Sequence, residues 1–156
     1  MQKTVGAMGV AKPGQILKGL HSSFLPFSAV TKDTSVRIGC FVQADGKFIK
    51  GASGNKITGK IVGIAIANEY FSGVENSDAY PANVNATFAY QGCISIVSST
   101  QANAGQYVFL KNSDGSLVFD NAKTKAEHTY TGFRVVYGTN GSVTEPQIIG
   151  VEGKVD

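Results

Sequence analysis

The feature that most constrains this chain is its regular alternation of short apolar runs with Gly-containing turns. Cys40–Val42, Lys60–Ala67, Val84–Tyr90, Cys93–Val97, Gln106–Leu110, Phe133–Tyr137 and Gln147–Val151 each have strand length and end at turn residues. Asp45-Gly46, Asp114-Gly115 and Asn140-Gly141 lie between such runs, and their glycines supply the positive φ that a tight hairpin needs. A chain patterned this way is all-β, a mainly antiparallel barrel or sandwich. At most one short helix fits, near residues 120–128, where Asp120 or Asn121 can cap a stretch holding Ala122, Lys123, Lys125 and Ala126.

Within this pattern four hairpins are expected. They turn at Asp45-Gly46, at Gln91-Gly92, at Asn112–Gly115 and across Gly138–Thr144. Phe24–Val30 contains Pro26, which places it at a sheet edge or a strand start. Along Lys60–Asn68, Val62, Ile64 and Ile66 alternate with Gly63, Ala65 and Ala67. The second face is small and flat, and it permits close approach of another strand or chain. Strand-borne Phe41, Phe88, Phe109 and Phe133 are expected to fill the core.

Met1–Gly19 is a different kind of sequence. It holds four glycines and one proline, with Val5, Met8, Val10, Ile16 and Leu17 scattered on neither a strand nor a helix period. Apolar side chains suit a segment pinned to something better than a solvated tail. The expected organisation is an extended N-terminal arm over residues 1–19 and a single β domain over 20–156. A domain of that size buries roughly 70% of its unfolded surface and folds without metal or disulfide.

Charge excludes some functions. The net charge of +3 is too small to argue for nucleic acid, and the strands carry few bases to interleave with aromatics. The first 60 residues hold nine bases and two acids, the remainder five bases and nine acids. A basic front and an acidic back suit head-to-tail contact between copies. Charged residues make up 16% of the chain, against an average of about 25%, as on a surface covered by partners. The longest apolar stretch, Ile61–Ala67, is too short to cross a bilayer, and Met1–Gly19 lacks the apolar core of a secretory signal. A soluble protein made in a cytoplasm is expected.

Motifs for chemistry are weak. Gly54–Lys60 has the glycine and lysine spacing of a phosphate-binding loop, but Ile61 stands where a hydroxyl must meet the metal, and a strand follows instead of a helix. His21 and His128 have no ligand partners at metal-binding spacing. No Gly-x-Ser-x-Gly elbow occurs, and Glu69, Glu75 and Asp78 sit together only in a loop. Cys40 and Cys93 fall in apolar runs; buried thiols and one inter-strand disulfide both remain open. No catalytic, metal or cofactor residue is therefore assigned, and an enzyme is not expected. Glu69–Asn83 is a long loop carrying Tyr70, Phe71 and Tyr80, aromatics suited to a partner surface.

Several stretches taken in order resemble a known family. Pro13-Gly14-Gln15-Ile16 leads to Leu25-Pro26-Phe27-Ser28-Ala29-Val30, then to Ile61-Val62-Gly63-Ile64-Ala65 and the Tyr70…Tyr80-Pro81 loop. Gly92-Cys93-Ile94-Ser95-Ile96, Ala104-Gly105-Gln106-Tyr107-Val108, Asn112-Ser113-Asp114-Gly115, Phe133-Arg134-Val135-Val136 and Ile148-Ile149-Gly150-Val151 follow. The order resembles the structural cement (decoration) proteins of tailed bacteriophage capsids. The resemblance implies a non-enzymatic, β-rich virion protein on the outer face of an icosahedral shell. It also implies binding to the major capsid protein and to other copies of itself, as a homo-oligomer, with no cofactor, membrane or direct nucleic-acid partner. The expected interface residues are Val5, Met8, Val10, Ile16 and Leu17 in the arm, and Tyr70, Phe71 and Tyr80 in the loop. The competing expectation is a carbohydrate-binding β-module of a phage tail or receptor-binding component, with exposed coplanar aromatics around Tyr70, Phe71 and Tyr80. A third is a small hydrolase, which needs His21 or His128 beside an acid and a serine.

Overall fold

The computed structural model describes residues 3–5, 9–17, 23–67 and 78–155. Among them the regular structure is twelve strands in one mixed sheet, with no helix. The strands are β1 (Lys3–Val5), β2 (Gly9–Ala11), β3 (Ile16–Leu17), β4 (Leu25–Thr31), β5 (Phe41–Asp45) and β6 (Phe48–Gly51). They continue as β7 (Ile61–Ala65), β8 (Asn85–Ser98), β9 (Tyr107–Lys111), β10 (Leu117–Asp120), β11 (His128–Tyr137) and β12 (Gln147–Lys154). The order is β10-β9-β11-β12-β8-β4-β6-β5-β7, and β7 pairs back onto β8. The strands β8, β4, β6, β5 and β7 thus close a five-stranded ring, and β12, β11, β9 and β10 extend from it as an open half. Among the described residues only β4–β6 and β1–β12 are parallel pairings.

Three of the four expected hairpins form. β5 and β6 turn through Gly46 and Lys47, with Gly46 at φ 60°. β9 pairs with β10, and β11 with β12. The fourth, at Gln91-Gly92, does not form. Residues 85–98 run on as one strand, because each half finds a different neighbour: residues 85–91 pair with β4, and residues 91–98 with β12. Gly92 carries the strand through at a φ of 140°, which residues with a side chain rarely adopt, and a Cβ there would press on the Phe24 backbone at 3.2 Å. The stretch 120–128 is not helical either. Asp120 Oδ1 accepts the Ala122 N–H at 3.0 Å, closing a turn instead of capping a helix.

Two cores lie on opposite faces of β7 and β8. The smaller one is made by Val42, Ile49, Ala65, Ala86 and Phe88, with Val36 and Tyr80 added from connections; Ala29 packs on it, so every ring strand contributes. The larger one fills the space between the ring and the open half, with Phe41, Ile64, Ile94, Leu110, Phe133 and Val151 among its members. Phe41 and Phe133 meet edge to face at 5.8 Å, and all four expected core phenylalanines are buried. The alternation along β7 breaks at one point. A bulge opposite Val42 and Gln43 puts Ile61 with Ile64 and Ile66 in the larger core, while Val62 joins the smaller one with Ala65. Gly63 serves the expected close approach, since a Cβ there would collide with the Ala89 carbonyl of β8.

Gln43 organises the loop between β6 and β7. It is fully buried. Its amide nitrogen donates to the Gly51 and Lys56 carbonyls at 2.9 and 3.0 Å. Its oxygen accepts the Thr58 and Gly59 N–H groups at 2.8 and 3.0 Å. One side chain therefore replaces the sheet partner that this loop lacks.

Candidate functional site

The leading segment is laid along the body's own strands. Ser95, fully buried on β8, holds it from both sides of one residue. Gly14 N–H donates to the Ser95 carbonyl at 2.8 Å, and Ser95 N–H donates to the Gln15 carbonyl at 3.0 Å. The Ser95 hydroxyl donates to the Lys12 carbonyl at 2.5 Å and accepts the Gln15 N–H at 2.9 Å. Pro13-Gly14 packs on Gly39, where a Cβ on Gly39 would lie 2.6 Å from Pro13 Cβ. β3 then pairs Ile16 with Ile94 and Leu17 with Cys93. Before the clamp, β1 and β2 form a hairpin in which Val10 faces Thr4, and Val5 pairs with Ile148 of β12. Of the apolar residues expected to meet partners, Ile16 is 47% exposed and Leu17 is half-buried. Met8 lies outside the described residues.

A second surface was not singled out by sequence. Phe27 on β4 is 59% exposed and Leu25 is 45% exposed, the most exposed large apolar side chains described together with Ile16. Phe27 stacks on Phe88 at 6.2 Å and tilts against Tyr90 at 5.7 Å. Beside it lies a shallow, almost wholly apolar depression of about 190 Å3, lined by Phe27, Phe88, Tyr90, Ile61, Val62 and Val155, with Lys60 as its one charged side chain. Lys154 Nζ sits 5.7 Å from the Tyr90 ring centre. β4 opens this surface because β6 pairs only with Val30 and Thr31. Among the described residues, Leu25–Ala29 has no strand on the side away from β8. The usable signal in sequence was Pro26, which marks an edge, next to a large aromatic residue.

Tyr80 is not a surface residue. It is 1% exposed in the smaller core, and its hydroxyl donates to the Ile66 carbonyl at 2.6 Å. Burial pushes its pKa up. The chain fixes it there because Tyr80 N–H donates to the Val36 carbonyl and Ala79 bridges Arg37, so the end of the loop is stitched over the ring. Sequence placed Tyr80 with Tyr70 and Phe71 because all three share one long loop. Tyr70 and Phe71 lie outside the described residues. An exposed aromatic platform that includes Tyr80 is therefore excluded.

Among the described residues no three His, Cys, Asp or Glu side chains converge as a metal site. The amides that a phosphate loop would offer are already taken. Gly54 N–H donates to the Gly115 carbonyl and Ile57 N–H to the Asn112 carbonyl, and Thr58 and Gly59 serve Gln43. His128 places Nδ1 2.7 Å from the Ala126 carbonyl, and the nearby Asp114 carboxylate accepts from Ser116 in its own turn. His21 lies outside the described residues. Cys40 and Cys93 are both free thiols; burial raises both, Cys93 to about 11, with Glu152 adding to the second.

The family model described as structural cement protein (E217 gp24/Pam3 gp6) matches residues 1–149. No curated protein matches the chain. Among solved structures, a chain from "The capsid of Myoviridae Phage XM1" superposes with a TM-score of 0.62 at 15% identity. That match covers 92% of this chain and 90% of the other, and it establishes a shared fold.

Proposed function

This chain belongs to the structural cement protein family and has a structural role in a phage capsid; from that premise we propose that it binds the outer surface of the shell and ties neighbouring major capsid subunits together. The observation that carries the proposal is the family match over residues 1–149, which takes in both the leading segment and the β body. The role is mechanical and not catalytic, and other copies of the same chain join the contact. Each contact is weak, but repetition over a shell gives high avidity without any single strong site. Apolar side chains buried at such contacts contribute about 25 cal/mol per Å2 before ordering costs are subtracted. The leading segment, with Val5, Met8, Val10, Ile16 and Leu17, and the loop bearing Tyr70 and Phe71 are the proposed contact elements.

The test uses shells lacking the protein. Adding the full chain is expected to raise the temperature at which shells rupture, measured by light scattering and electron microscopy. A variant lacking residues 1–11 keeps the Lys12–Gln15 clamp, so it is expected to stay folded while protecting shells less. Shells that neither bind the full chain nor gain heat resistance from it would refute the proposal.

A further inference from the structure

We infer that the open edge of β4 at Leu25–Ala29 and the adjoining apolar depression form the docking site for one extended, acidic segment of the capsid shell protein, anchored by an apolar side chain. The inference rests on the cement role proposed above and names the surface and the chemistry that would perform it.

Four observations meet at this place. First, β4 pairs with β8 over Leu25–Val30, but only Val30 and Thr31 reach β6, so among the described residues its second edge stays open over Leu25–Ala29. An open edge takes up an added strand through main-chain hydrogen bonds. Pro26 has no N–H to offer an added strand. Second, Leu25 and Phe27 stand exposed on that strand. Aromatic anchors of this kind dominate binding energy at interfaces. Third, the depression of about 190 Å3 beside Phe27 is smaller than the roughly 300–1,000 Å3 of small-molecule sites. It fits a single side chain delivered by a strand, not a free ligand. Fourth, among the described residues the charges flanking it are positive. Lys60 lines the depression, Lys154 lies over Tyr90, and no acid is among the lining residues.

The sign of that charge selects the occupant. Two copies meeting edge to edge across β4 would bring the lysines of both copies together, which opposes such a dimer. An acidic segment from the shell meets them favourably. Such steering raises the on-rate and fades with salt.

The experiment measures co-sedimentation of the full-length protein with shells lacking it, over a range of salt. Phe27→Asp changes a largely exposed side chain, so circular dichroism is expected to match the parent, with a melting temperature slightly lowered by the lost contacts with Phe88 and Tyr90. Its affinity for shells is expected to fall about 30-fold, the loss typical of a central aromatic anchor. The double variant Lys60→Glu, Lys154→Glu is expected to bind more weakly and with a flatter salt dependence. If the parent binds shells and folded Phe27→Asp binds equally well, the docking site is wrong while the cement role stands. If the parent does not bind shells at all, the functional premise itself fails. If Phe27→Asp changes only the mass of the free protein in sedimentation and leaves shell binding intact, the edge contacts a second copy and the inference is overturned. A double variant that keeps the parent's salt dependence rejects the acidic character of the partner.

Discussion

Single residues set the terms on which the loops of this protein hold their shape. Gln43 is the clearest case, because all four of its hydrogen-bonding positions are used and it lies fully out of water. Replacing it by Leu fills the same space but leaves two carbonyls and two N–H groups without their partner. Gln43→Leu is expected to lower unfolding stability by about 3 kcal/mol, less than the sum of four lost bonds because water reaches part of the loop. The urea midpoint at unchanged slope measures it. Nothing in sequence marked Gln43, since a glutamine in a predicted strand looks like an outward-facing polar residue until the neighbouring loop is placed over it. Tyr80 errs in the other direction. A loop aromatic looks exposed, yet its hydroxyl finds the Ile66 carbonyl and its ring fills the ring of strands.

At the level of elements, the clamp on the leading segment and the long strand β8 explain each other. Ser95 can hold Lys12, Gly14 and Gln15 only because β8 continues straight past Gly92 to present it. Gly39 supplies the other jaw, at φ 81° and with Pro13 against its missing Cβ. Gly39→Ala is therefore expected to loosen the clamp without unfolding the sheet. Hydrogen exchange is expected to be about tenfold faster at the amides of Gly14, Gln15 and Ser95, with Ile149 of β12 unchanged. Equal protection at all four would show that the glycine contact is not what holds the segment. The strand pattern itself was legible: apolar alternation and Asp-Gly or Asn-Gly turns located three hairpins correctly. The Gln91-Gly92 turn was not real because Gln-Gly carries no strong turn preference and tertiary pairing on both halves rewards an unbroken strand.

For the whole molecule, the acids act together. Asp33 is held low by the Ser35 hydroxyl, Asp45 by Lys32, Asp78 by Arg37, Asp114 by the Ser116 hydroxyl, and Asp120 by the Ala122 N–H and Lys125. Each native carboxylate titrates below its unfolded value, so its contribution is present above about pH 4 and disappears as pH falls through the depressed native value. Stability is expected to be level from about pH 7 to about pH 5 and to decline below about pH 4. Urea melts across that range check it, and a stability that rises on acidification would contradict the sign. The groups are exposed or half-exposed, so the decline is gentle and high salt reduces the part due to the three ion pairs.

Periodicity and turn chemistry are local properties, written in consecutive residues, and they were enough to decide that this chain is a β protein. The likeness to capsid cement proteins came instead from particular stretches taken in order, Pro13–Ile16, Leu25–Val30 and Gly92–Ile96 among them. Closure of five strands into a ring, the unbroken course of β8, the burial of Tyr80 and the exposure of Phe27 depend on which distant strands meet. A one-dimensional pattern records that a side chain alternates between two faces; it does not record which face another strand will cover. Only the tertiary pairing decided that, among the described residues, Leu25–Ala29 of β4 would have a strand on one side alone and the Phe27 ring would stand exposed.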